Sequence, residues 1–276
     1  MTFRDRVDDH SGRLTPADRS VLDVLLSHPT EAAFLPAEQV AGRAGVHTAA
    51  ATRLAKKLGY GGYPQLREAL QSELLDGVGP ADRVRRRLEH SDDDLLAALV
   101  DDEIAALRAL ARAVPQAQLD ALAAEILAAR RVLIYARGNA TVLGSMLHRR
   151  LRRFGLPAQD LPGSDRDLAE ELVSLGPDDL VVAFAFRRPP RTLAPLLRTA
   201  HEAGTTVAVL TDVLRLDDPL PATVIAAPRG NGREFQSLTV PMAVANALVL
   251  TVARVASGRT LTALERLDEL LTRFDL

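Results

Sequence analysis

Apolar residues in the first quarter of the chain recur three and four positions apart. After Arg131 they gather instead into short β-branched runs, so the two stretches predict an all-helical segment followed by an α/β one. Thr15-Pro16-Ala17-Asp18 reads as a helix start, with Thr15 as N-cap, Pro16 at the first helical position and Asp18 near the positive end of the dipole. That helix should run to about Leu26 and break at Ser27-His28-Pro29-Thr30. From Pro36 two short helical patterns flank Gly45, and the helical core should end near Leu75. Asp76-Gly77-Val78-Gly79-Pro80 is the clearest linker.

Between Ala81 and Arg131 apolar residues at 95, 96, 99, 104, 107 and 110 form a stripe of helical period, interrupted by Pro115. Linking helices are expected there, one of them starting at Ser91 with Asp92, Asp93 and Asp94 in its first turn, and Arg85-Arg86-Arg87 as a solvated face. Val132–Ala136, Leu180–Ala185, Thr206–Thr211 and Thr223–Ala227 read as buried strands, with helices near 141–154, 191–203 and 235–256. The alternation predicts a mostly parallel sheet covered on both faces. Ligands in such sheets sit beyond the carboxyl ends of strands at a topological switch point, which directs attention to the loops starting at Arg137, Phe186 and Asp212. The expected division is 1–76, a helical linker over 77–114, and 115–276.

Composition narrows the functions open to such a chain. Its 276 residues suffice for two domains, each with its own core. With no cysteine there are no disulfides, no thiolate catalysis and no Cys-ligated zinc, and no other metal-ligand spacing is found, so neither metal nor cofactor is expected. No run approaches ~18 uninterrupted apolar residues, and the charged opening MTFRDRVDDHSGRL lacks a secretory signal's apolar core. The expectation is a cytoplasmic protein with no membrane partner. Net charge is −2, so a surface for nucleic acid has to be local. Between Pro36 and Leu70 the cations Arg43, Arg53, Lys56, Lys57 and Arg67 outnumber Glu38 and Glu68, and Lys56 and Lys57 are the only lysines of the chain.

In AEQVAGRAGVHTAAATRLAKKLG, small or apolar residues fall where a helix-turn-helix needs them. Ala41 lets two helices cross closely, Gly45 permits a left-handed turn, and Val46, Ala51 and Leu54 pack the second helix on the first. His47, Thr48, Ala50, Thr52, Arg53, Lys56 and Lys57 are then the candidate DNA-facing residues. The short ones suit base edges and the cations suit phosphate or guanine. The pattern alone also fits a helical hairpin with a solvated basic face, and a histidine at a helix start often only substitutes for a cap.

The segments LTPADRSVLDVLLSHP and AAFLPAEQVAGRAGVHTAAATRLAKKLGYGGYPQLREAL, including the tail Lys57-Leu58-Gly59-Tyr60-Gly61-Gly62-Tyr63-Pro64, resemble the RpiR family of bacterial transcriptional regulators. The resemblance spans about 14–74 and, more loosely, 115–256. It implies an α + α/β chain: an N-terminal all-α helix-turn-helix domain, a helical linker, and a C-terminal SIS-like (sugar isomerase) flavodoxin-type α/β sandwich with a parallel sheet. It further implies a double-stranded DNA operator, a small anionic effector such as a phosphosugar, and a homodimer or homotetramer.

The ligand loops depart from that family's pattern. The turn after the first strand reads Arg137-Gly138-Asn139-Ala140-Thr141, with Ala140 where a serine is expected. The later Ser-x-Ser-Gly-x-Thr loop is replaced by Ala185-Phe186-Arg187-Arg188-Pro189-Pro190. Prolines have no amide hydrogen for an anion nest, so binding would fall to side chains such as the guanidinium forks of Arg187 and Arg188. Candidate ligand residues are Gly138, Asn139, Thr141, Arg187, Arg188, Thr211, Asp212, Glu234 and Ser237; the arginine pair could instead be a solvated loop end or a dimer contact, Thr211, Asp212, Glu234 and Ser237 ordinary caps, and Gly138 a turn glycine without a ligand. No catalytic residue is assigned. An isomerase would need a base and an acid across an open-chain sugar; His148 sits in the basic helix HRRLRR, His201 lies away from the strand ends and Glu234 is the only acid near the expected pocket, so the chain reads as a non-enzyme. A domain that only oligomerises a DNA-binding protein stays open.

Overall fold

The computed structural model describes residues 3–10, 12, 14–27, 29–76, 81, 84, 85, 88, 94–187, 189–212, 221–227, 229 and 236–275. Arg86, Arg87, Ser91, Asp92, Asp93 and the linker residues Gly77–Pro80 lie outside them. The chain divides into two compact units, one of residues 1–106, 213–215 and 228–237, the other of 107–212, 216–227 and 238–276. No single described helix is long and apolar enough to cross a membrane.

The first unit is helical: α1 (Phe3–His10), α2 (Pro16–Ser27), α3 (Pro29–Ala32), α4 (Ala37–Arg43), α5 (Ala49–Lys57) and α6 (Tyr63–Asp76). α2 starts where expected. The Thr15 hydroxyl accepts from the Asp18 amide at 3.3 Å, and the Asp18 carboxylate accepts from the Thr15 amide at 2.8 Å, a reciprocal cap. The expected break after Ser27 holds the single turn α3, and α1 was not foreseen, because its mostly charged sequence shows little apolar periodicity. Leu25, Val40, Ala51, Leu54, Leu58 and Leu66 form the core. Gly45 (φ +65°) and Gly59 (φ +81°) end α4 and α5 in left-handed turns. In each turn an amide three residues past the helix reaches back into it, Val46 to the Ala41 carbonyl and Tyr60 to that of Ala55, both at 3.0 Å.

α7 (Leu95–Ala113) spans the division between the units. Its cap is Asp94, whose carboxylate accepts from the Ala97 amide at 2.9 Å, rather than Ser91.

In the second unit α8 (Gln116–Ala128) leads into β1 (Arg131–Ala136), α9 (Thr141–Arg153), β2 (Ala158–Asp160), α10 (Asp165–Leu172), β3 (Asp179–Phe184), α11 (Leu193–Glu202), β4 (Thr206–Thr211), β5 (Thr223–Ala226), α12 (Thr239–Val255) and α13 (Ser257–Arg273). All pairings are parallel, in the order β2-β1-β3-β4-β5. This is the flavodoxin-type order, with its switch point between β1 and β3. Alternate residues Leu133, Tyr135, Val181, Ala183, Val207 and Val209 pack with α10 and α11. The other face receives α9, whose Gly144 lies so close to β1 that an added Cβ would sit 3.0 Å from that of Ala136. The sequence reading omitted β2, α10 and α13. β2 is a three-residue edge strand, Ala-Gln-Asp, with no apolar run to reveal it.

At the amino ends of the strands Asp179 is buried. It accepts from Arg131 Nε at 3.1 Å, from Arg130 at 2.9 Å and from the Gly176 amide at 3.1 Å. Burial by itself would raise its pKa, but the guanidinium and amide hydrogen bonds outweigh it and hold the carboxyl below its usual value. This network pins the end of the sheet remote from the loops.

Candidate nucleic-acid interface and effector site

α5 is amphipathic in a way that sorts the DNA-facing candidates. Ala50, Ala51, Leu54 and Ala55 are buried against the neighbouring helices, while His47, Thr48, Arg53 and Lys56 are exposed and Thr52 half-exposed. Thr48, Thr52 and Lys56 follow one another at four-residue spacing and form a single ridge, with Arg53 beside it. The expectation for Ala50 is corrected. At 1% exposure it belongs to the core, and Ala49, one residue earlier, takes the outer position. His47 behaves as a cap: its Nδ1 accepts from the Ala49 amide at 3.3 Å.

Lys57 is corrected as well. Its ammonium is ion-paired to the carboxylate of Asp18, which is 1% exposed and also takes the Thr15 hydroxyl proton at 2.7 Å. Burial works against ionisation of Asp18, but the hydrogen bonds from Lys57 and Thr15 prevail and its pKa is lowered. The lysine thus ties the end of α5 to the start of α2 while 35% of its side chain stays exposed.

A residue that the sequence reading missed completes the arrangement. Arg6 of α1 donates to the Leu58 carbonyl at 3.1 Å and the Gly59 carbonyl at 3.3 Å, and its guanidinium lies 4.6 Å from the centre of the Tyr60 ring. A cation at the carbonyl end of a helix suits its dipole. α5 is therefore held at its C-terminal end by two cations, Arg6 and Lys57, leaving its N-terminal end and the Thr48–Thr52–Lys56 ridge open.

In the second unit the carboxyl ends of β1, β3 and β4 bring together the turns expected to form a ligand site. Gly138 (φ +57°) and Asn139 are exposed in the single turn before α9, and the Thr141 hydroxyl donates to the Gly138 carbonyl at 2.8 Å. Arg137 lies over the Tyr135 ring at 4.5 Å and donates to the Ala136 carbonyl at 2.9 Å and to that of Pro162, bracing the turn against the segment after β2. The Tyr135 hydroxyl meets that of Thr192 at 2.7 Å; burial, only partly offset by that bond, raises its pKa.

After β3, Arg187 adopts a left-handed conformation (φ +62°), and its amide donates to the buried Asp212 carboxylate at 2.5 Å. That turn thus aims a backbone donor at the protein's own carboxylate. Thr211 has no exposed surface and is corrected from a ligand contact to part of the strand packing. Ser237 falls in the first unit, where its carbonyl accepts from Arg229 at 3.4 Å. Arg188 and Glu234 lie outside the described residues. Among the described residues no group of His, Asp or Glu could hold a metal ion.

Residues 1–77 match the family model described as helix-turn-helix domain, rpiR family. The chain is 26% identical over 207 residues to the bifunctional protein glk of Paraburkholderia xenovorans (strain LB400), covering 75% of this chain and 32% of that protein. It thus spans about a third of the length of the curated relatives heading the comparison. It is also 27% identical over 183 residues to the uncharacterised HTH-type transcriptional regulator YfhH of Escherichia coli (strain K12), covering 65% of this chain and 64% of that one. Among solved structures, the Vibrio vulnificus NanR protein complexed with ManNAc-6P aligns over 99% of both chains with a TM-score of 0.58 at 17% identity. The sugar isomerase domain of an RpiR transcription factor from Sphaerobacter thermophilus aligns over 64% of this chain and 99% of its own, with a TM-score of 0.58 at 23% identity. Residues 1–77 thus match the rpiR-family helix-turn-helix domain, and the α/β part of the chain has the fold of that sugar isomerase domain.

Proposed function

We propose that this protein is a transcriptional regulator that binds an operator as a two-fold assembly and senses a small anionic metabolite in its α/β domain. The observation that carries the DNA-binding half is the ridge Thr48–Thr52–Lys56 with Arg53 beside it, on a helix whose other side is wholly packed. Short side chains at its N-terminal end leave room for base edges, and the cations fit phosphates. A two-fold assembly would prefer an inverted repeat with half-sites ~34 Å apart or a multiple of it. Selection of duplexes by the purified protein, followed by anisotropy titrations across salt concentrations, tests this. Indifference to duplex DNA at low ionic strength overturns it.

The effector half rests on placement. Gly138, Asn139, Thr141 and Arg187 lie on the turns flanking the β1/β3 switch point, where this strand order places ligands. The similar NanR structure is a complex with ManNAc-6P. A sugar phosphate or related acid is the proposed effector, held by side chains more than by backbone amides. A thermal-shift screen of phosphorylated and carboxylated metabolites tests it, since a ligand at ~100 times its dissociation constant stabilises by ~2.7 kcal/mol. A second reading, a domain that only oligomerises, is favoured by the Arg187 amide being engaged by Asp212 and by the two prolines that follow. It predicts no shift with any anion.

A further inference from the structure

We infer that α7 is a self-association surface, pairing antiparallel with α7 of a second copy of this chain about a two-fold axis between Ile104 and Ala105. None of its 19 residues is buried. Leu96, Val100 and Ile104, four residues apart, form an apolar ridge exposed to 71%, 45% and 41%. Exposed Ala97 and Ala111 flank the ridge and let a second helix approach closely. A helix of this composition standing alone keeps apolar surface in water along its length, which burial against a partner would remove.

Charge selects the occupant and its direction. Asp101 and Arg108 are both exposed and lie seven residues apart, on the same flank of the ridge; among the described residues neither has an ion-pair partner. In an antiparallel two-fold pair that flank meets its own copy, so Asp101 faces the partner's Arg108 and Arg108 faces the partner's Asp101. In a parallel pair each charge would lie level with its own like. The acid-then-base order along one flank is therefore complementary to itself only head to tail. The same pairing would set the separation of two recognition helices, and in that respect the inference rests on the regulator reading; the contact itself is testable without DNA.

The test uses the full chain in sedimentation equilibrium. Ile104→Asp should halve the mass of the assembly at micromolar concentration. Asp101→Arg alone should raise the dissociation constant at least tenfold, and Asp101→Arg combined with Arg108→Asp should restore it. Within one helix these two side chains are about 10 Å apart along the axis, so rescue reports on the partner. The chain has no cysteine, so introduced ones report cleanly. Ile104→Cys, next to the axis, should form a linked dimer on oxidation, whereas Val100→Cys should not, because its copies would be roughly 13 Å apart along the axis. A monomeric wild type, an Ile104→Asp variant of unchanged mass, failure of the double swap to rescue, or equal cross-linking at both positions overturns the inference. Wild-type binding to duplex DNA, measured separately, bears on the regulator reading alone.

Discussion

Lys57, the last residue of α5, is ion-paired to Asp18, the third residue of α2, which packs against it. Two adjacent lysines that are chemically identical thereby acquire different tasks. Lys56 points to solvent, and Lys57 fixes the tilt of the helix that carries it. Lys57→Ala should lower stability by about 1–2 kcal/mol, because a buried carboxylate loses its charged donor while keeping Thr15. Lys56→Ala should leave the melting temperature unchanged and reduce the slope of log affinity against log salt by ~0.9, if its contact is to phosphate. Urea melts and anisotropy titrations on both variants separate the two roles; equal loss of stability would refute the division.

Acid should expose the same pair. The folded pKa of Asp18 lies below its ordinary value of 3.8, so its contribution to stability is present above that value and is lost as pH falls through the lower folded one. Asp179 is lowered in the same direction in the other unit. Asp18→Asn should flatten the acid limb of the first unit's unfolding and Asp179→Asn that of the second, read from urea midpoints at a series of pH values below about 5.

Gly59 combines a backbone requirement with a steric one. At φ +81° an L-residue is strained, and an added Cβ would lie 2.8 Å from the Arg6 guanidinium. Gly59→Ala should cost about 1–2 kcal/mol, and pairing it with Arg6→Ala should cost less than the sum of the two, since the clash disappears. Strict additivity in thermal or urea unfolding would show that the strain is in the backbone alone.

Asp212 should govern the turn after β3. Asp212→Ala removes the acceptor of the Arg187 amide, a charge-assisted bond, and should destabilise the second unit by about 1–3 kcal/mol. If the effector is an anion, the freed amide should also allow it to bind more tightly. Calorimetry with any anion found to stabilise the wild type checks the second effect.

Local chemistry made much of this protein legible. Gly45, Ala41, Val46, Ala51 and Leu54 specify a close helix crossing through size and backbone freedom, so the helix-turn-helix could be read directly. The runs at 132–136, 180–185, 206–211 and 223–227 are apolar on both faces and are therefore strands of a covered parallel sheet, found within a residue of their expected bounds. The strand Ala158–Asp160 and the helix Phe3–His10 were invisible because neither carries its own apolar period; each is held by neighbours distant in sequence.

What sequence alone determined is thus the order of elements and the identity of the second helix of the helix-turn-helix, the one proposed to face DNA, since both follow from spacings of three, four and two within a few residues. Only the tertiary structure decided which side chains on that helix are available. Whether Ala49 or Ala50 points outward is a rotation of 100° about the helix axis, and the partner of Lys57 lies 39 positions away at Asp18. The same holds for the Arg187 amide and Asp212, 25 positions apart. Contacts between residues that far apart depend on how elements pack, and no local pattern records them.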